Sequence, residues 1–184
     1  SCTSNQGEGF WDINSTWDCG SVPGLADNVV IRSGQTVFVN IAPQSASVTV
    51  KTGATLALAG EFSFTSDIIV EDGGTLDLTA EKLFTDGHKV ILAPNAIVTG
   101  TGGYIVGPIQ KTFGGPTSQF TFPVGTTNGY SPVETNNIPG GGTLTVSATE
   151  SAHPSPALGA GKLRRYWTVT NGSPGIVSAD VSFN

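Results

Sequence analysis

Four stretches repeat the same plan at an interval near twenty residues. Val29-Val30-Ile31-Arg32-Ser33-Gly34-Gln35-Thr36-Val37 is echoed by Val48-Thr49-Val50-Lys51-Thr52-Gly53-Ala54-Thr55-Leu56 and by Ile68-Ile69-Val70-Glu71-Asp72-Gly73-Gly74-Thr75-Leu76. A worn copy comes next in Val90-Ile91-Leu92-Ala93-Pro94-Asn95-Ala96-Ile97-Val98. Gly34, Gly53, Gly73 and Asn95 mark the repeats, at spacings of 19, 20 and 22 residues. A fixed period of this length, with strand-forming residues on both sides of a turn, is the mark of a solenoid. Few other folds tolerate such an echo.

Within each copy the side chains alternate. Val48 and Val50 are followed by Leu56 and Leu58, and Ile68 and Val70 by Leu76 and Leu78. Strand residues alternate between faces, so each strand buries one face and shows the other. Gly53 and Gly73 fall where the chain must turn, in a conformation that favours residues lacking a Cβ. Asn95 reads as a substitute, because asparagine tolerates the left-handed region. Thr36, Thr55 and Thr75 each lie two residues past the marker and are expected to stack as an outward ladder. The expectation is all-β: a short parallel β-helix of about four coils, at roughly 4.8 Å per coil, then an antiparallel sandwich-like β-domain.

This reading divides the chain into three regions. Residues 1–26 form an N-terminal cap, residues 27–103 the coils, and residues 104–184 the antiparallel domain. The cap holds Phe10, Trp11 and Trp17 among glycines, and large aromatics suit the end of a stack that has no neighbour below it. Exposed Trp11 and Trp17 rings would instead offer platforms for sugar stacking, as would Tyr130 in the second half. Cys2 and Cys19 are the only cysteines, and their enclosure of the first segment suggests one disulfide. The rival reading makes Cys2 a lipid-bearing cysteine, but Ser1 precedes it and Cys19 offers a partner. Beyond residue 103 the strands are separated by Gly/Pro turns and lose the echo, as an antiparallel sandwich would. The closing pattern places Val177, Ala179, Val181 and Phe183 on one side of a strand, an inter-subunit strand if it pairs with another subunit's open edge. That strand is the last one, or the natural chain continues past Asn184.

Composition narrows the function. Charged residues make up only 12% of the 184, and the formal net charge is −6. Nucleic acid binding needs a concentrated basic surface, and the only cationic cluster is Lys162, Arg164 and Arg165, so nucleic acid is not an expected partner. No apolar run approaches the roughly 18–20 residues of a membrane helix. A removed signal peptide fits the start of the chain, and the expected location is secreted, extracellular or at the cell surface.

The chain's opening, Trp11, Trp17, Gly20, Pro23, Asp27-Asn28-Val29-Val30-Ile31, Gly34 and Thr36-Val37, resembles a glycine-rich β-domain of large secreted bacterial surface proteins, many exported by the type IX route. It is also similar to the eight-glycine extracellular domain. The second half resembles the segment C-terminal to that domain in such proteins through Tyr104-Ile105-Val106-Gly107-Pro108, Phe120-Thr121-Phe122-Pro123-Val124-Gly125, Tyr130-Ser131-Pro132-Val133 and Arg165-Tyr166-Trp167-Thr168-Val169. The resemblance implies adhesion, matrix or filament roles, with polysaccharide-active modules as occasional neighbours. It carries over no catalytic residue, and no type IX sorting domain is recognisable.

The residues offer little chemistry. A β-helical polysaccharide hydrolase needs carboxylates projecting from adjacent coils, but the positions matching Glu71, Asp72 and Asp77 in the preceding coil are Lys51, Thr52 and Ala57. The same three acids, with turn carbonyls, supply hard oxygens of the kind calcium takes, though without the spacing of calcium-binding nonapeptide repeats. His88 and His153 are isolated, and zinc needs clustered ligands. The expectation is therefore a non-enzymatic, structural or adhesive protein, with self-association, other surface proteins or glycans as partners and no required cofactor. The alternatives are a carbohydrate-binding module and a fragment of a β-helical polysaccharide-active enzyme.

Overall fold

A computed structural model describes residues 1–154, 164–172 and 180–183. The fold is all-β, as expected: a parallel β-solenoid of about five turns that passes into antiparallel sheet. Among the described residues the only helix is the 3-10 turn Asn14–Thr16.

The coils stack into three sheets, and those from Ser47 to Val106 place a strand in each. The first collects Cys2–Thr3, Asn28–Ile31, Ser47–Val50, Ile68–Val70, Val90–Leu92 and Ile109–Phe113 in parallel order. The second stacks Glu8–Phe10, Thr36–Val39, Thr55–Leu58, Thr75–Asp77 and Ile97–Thr99. The third stacks Phe62–Ser63, Lys82–Phe84, Tyr104–Val106 and Val124–Thr126.

Alternation decides what enters the core. In the first sheet the register lines up Val29, Val48, Ile68, Val90 and Ile109, all buried. In the second it lines up Val37, Leu56 and Leu76 above one another, also buried, with Val98 next in the column. Thr36, Thr55 and Thr75 share one register column on the opposite face, the outward ladder expected from sequence. The turns repeat too. Gly34, Gly53 and Gly73 all have φ between 70° and 76°, and each donates its N–H to the carbonyl of the next marker, ending on Asn95.

Asn95 departs from the expectation. It keeps its place in that ladder as an acceptor but is not among the residues with positive φ. Pro94 precedes it, and Ala96 N–H closes the turn on Ala93 O at 3.1 Å, the same closing bond that the glycine turns make, here without a left-handed residue.

The stack also exceeds the expected 27–103 at both ends. Residues before 27 form a coil of their own, because Cys2 pairs with Val29 and Gly9 with Val37. Past 103, Ile105 pairs with Leu83, Ile109 with Val90 and Val124 with Ile105, all in parallel. The antiparallel part begins where Gly142–Thr149 joins Ile109–Phe113, followed by Tyr166–Asn171. A second antiparallel layer holds Thr117–Phe122, Val133–Ile138 and Asp180–Phe183. Trp167 against Phe183 (ring centroids 4.9 Å) and Phe113 against Phe120 (6.2 Å) join the two layers.

Candidate functional site

At the N-terminal end the two tryptophans are structural. Trp11 is 0% and Trp17 1% exposed, and they meet edge to face at 5.0 Å. Trp17 Nε1 donates to Trp11 O at 2.9 Å, and Trp11 also meets Phe64 edge to face. The alternative of a sugar platform on these two rings does not fit their burial: the first coil has an apolar end to cover, and their faces are spent on it. Cys2 and Cys19 form a disulfide, which ties the loop carrying both tryptophans to the first strand.

The three acids named for calcium serve separate local bonds. Glu71 pairs with Lys51 at 2.6 Å, Asp72 accepts the Asn95 N–H at 2.7 Å, and Asp77 accepts the Thr79 N–H at 3.0 Å. Among the described residues no three His, Cys, Asp or Glu side chains converge on a metal-sized site. Of the residues named for strand exchange, Val177 and Ala179 lie outside the described residues. Val181 and Phe183 lie on Asp180–Phe183, paired with Thr135 and Val133. Phe183 is 50% exposed.

Tyr130 remains on the surface. Its ring stacks on Tyr104 with centroids 5.7 Å apart, and partial burial raises its phenol pKa. A polar network pins the hairpin that carries it. Arg165 donates to Ser131 Oγ at 2.5 Å, Trp167 Nε1 donates to Ser131 O at 2.9 Å, and Thr126 Oγ1 donates to Glu150 at 2.7 Å. Hydrogen bonds from Asn128 and Thr126, then the nearby Arg165, hold the Glu150 carboxyl below its ordinary pKa.

Tyr130 forms one wall of a cleft of about 190 Å³. Its other walls include Val98 and Thr99 at the edge of the second sheet, Phe120 and Thr121 opposite, and Leu78. The cleft has a topological origin. Thr117–Phe122 comes after Ile109–Phe113 and before Val124–Thr126, so it occupies the chain position of a sixth strand in the second sheet. It pairs instead with Val133–Ile138, and the last rung of the second sheet is left unfilled among the described strands.

Lys111 is a second feature that sequence reasoning missed. Its register partner is Leu92, in the inward column of Ile31, Val50 and Val70. The side chain is 4% exposed, yet Nζ donates to Ala93 O and Pro94 O, both at 2.7 Å, and lies 5.0 Å from the Phe120 ring centroid. Burial pushes its pKa down to about 8, against a smaller upward pull from Asp72. The signal was present in Ile109-Gln110-Lys111-Thr112-Phe113, where the lysine shares the parity of Ile109 and Phe113.

A disulfide-tied parallel solenoid that passes into antiparallel sheet defines a β-solenoid domain. The G8 domain profile matches residues 16–108, just over half of the chain, and the chain belongs to the G8 domain family, an extracellular domain. No curated protein and no solved structure matches the chain. No helix among the described residues is long and apolar enough to cross a membrane.

Proposed function

We propose that the chain is a non-catalytic, structural and adhesive element of a secreted surface protein, joining its neighbours through edge strands into an extracellular fibre. The observation that carries this reading is the change of sheet type at one end. Six parallel strands continue into two antiparallel ones, and Tyr166–Asn171 ends that sheet among the described residues. Its residues Thr168, Val169 and Thr170 are exposed, with Val169 at 38%. Strand edges of this kind pair readily with another chain. The capped opposite end supports the same polarity, because it presents buried tryptophans and a disulfide. Export by the type IX route belongs to this reading through the resemblance of the opening motif.

Sedimentation velocity tests it. The native chain should form species larger than a monomer whose fraction rises with concentration, and Val169→Lys should return it to monomer with an unchanged circular dichroism spectrum. Equal assembly by both proteins would overturn the edge-strand reading.

A carbohydrate-binding role has one specific observation in its favour, the exposed Tyr130 ring stacked on Tyr104 at an interplanar angle of 29° beside a cleft. Binding on a glycan array, lost in Tyr130→Ala, would support it.

A further inference from the structure

We infer that the cleft beside Ile97–Thr99 is an acceptor slot for one extended, uncharged peptide segment, which completes the second sheet as its missing sixth strand. The slot is separate from the edge strands of the proposed assembly, so either reading can fail alone.

The backbone directions give the first argument. Ile97 N–H donates to Gly74 O at 2.9 Å, and Thr99 O accepts from Leu78 N–H at 2.9 Å. Both bonds point to the preceding coil. In a parallel ladder successive residues send their N–H and C=O to opposite sides. Val98 therefore directs both groups away from Thr75–Asp77, towards the unfilled side. Each earlier strand of this sheet meets its successor across that side, and the successor here, Thr117–Phe122, has left to pair with Val133–Ile138. Among the described residues, what remains is a ladder one strand short of completion, with the Val98 donor and acceptor facing the unfilled side. An extended backbone answers such groups, as in strand addition at a sheet edge.

The lining sets the occupant's side chains. Val98 continues the inward column of Val37, Leu56 and Leu76, and Leu78 and Phe120 also line the space. A residue stacked on Val98 would be a small branched aliphatic one, continuing that column. The alternate residues would face out, where Thr99 and Thr121 are exposed. No residue lining the cleft carries a formal charge, and a buried charge without a partner is disfavoured. This selects against acidic and basic peptides. Gly100 and Gly103 fix the corner of the cleft: a Cβ at Gly100 would lie 2.7 Å from Thr79 backbone atoms, and one at Gly103 would lie 2.7 Å from Leu78 Cβ.

The test uses the whole protein with uniform nitrogen labelling and a blocked six-residue peptide alternating threonine and valine. At millimolar peptide, the amide resonances of Val98 and Thr121 should shift, and exchange of the Val98 N–H with solvent should slow at least tenfold. The same peptide N-methylated along its backbone should bind at least tenfold more weakly. Val98→Pro removes the free donor without taking a ladder bond and should weaken binding by a similar factor. Thr121→Trp fills the cleft from an exposed position and should abolish binding, which keeps the test decisive if the proline variant fails to fold. No response to the peptide, equal binding by the N-methylated form, or unchanged binding in Thr121→Trp would overturn the slot. A response of the same amides to cellohexaose, with none to the peptide, would overturn it in favour of a glycan site.

Discussion

The lysine in the core column gives a stability prediction with a sign opposite to that of an ion-paired lysine. Lys111 is displaced from its ordinary 10.5 to about 8, mainly by burial. Its folded pKa lies below its unfolded one. The unfolded chain therefore binds more protons between pH 8 and 10.5, and stability must rise with pH across that window. Below pH 8 the penalty for the charged form is fully present, and above about 10.5 it is gone. At about 1.36 kcal/mol for each pH unit the ceiling is about 3 kcal/mol. Solvent near the outer carbonyls and the flexible stem brings the expected gain down to about 1–2 kcal/mol. Replacing Lys111 with Met keeps most of the volume and removes the titration, but leaves Ala93 O and Pro94 O without their donor. The two effects offset near pH 7, where the variant should differ little from the native protein. Urea unfolding at pH 7, 8, 9 and 10, disulfide intact, reads the result. Native stability should climb relative to Lys111→Met by about 1–2 kcal/mol. Parallel curves for the two proteins would refute the buried, displaced lysine.

Gly73 has φ of 70°, and a Cβ there would lie 3.3 Å from Thr52 Cγ2, so Gly73→Ala should cost about 1–2 kcal/mol in urea unfolding, whereas Asn95→Ala should cost less because Asn95 does not use the left-handed region. Cys2→Ser with Cys19→Ser opens a loop with a sequence separation of 17 and should lower stability by about 3 kcal/mol, read as a drop in thermal midpoint that reducing agent reproduces in the native protein.

The parts legible in sequence are those whose cause is local. A twenty-residue echo with two-fold alternation specifies strands, turns and an inward face, and Gly34, Gly53 and Gly73 specify where the chain reverses. Cys2 and Cys19 had only each other. The first coil was hidden because Cys2–Thr3 and Glu8–Phe10 are too short to show a period, and their register comes from the coil above. The continuation past residue 103 was hidden for a related reason. Tyr104–Val106 and Ile109–Phe113 keep the parallel register, but the segment that should close the echo, Thr117–Phe122, pairs elsewhere. Parallel pairing between coils is non-local, so a departure from it leaves no mark in the segment that departs. The same holds for the cleft, whose opposite walls come from strands about twenty residues apart in the chain. Exposure of aromatics was equally illegible: Trp11, Trp17 and Tyr130 are alike in composition, and only the uncovered end of the first coil decides that the first two are buried.

Electron microscopy of the chain across a concentration series, disulfide intact, tests the structural and adhesive reading most directly. The account predicts open chains of subunits that lengthen with concentration and are absent in Val169→Lys. Single, separate particles of one size at every concentration would contradict it.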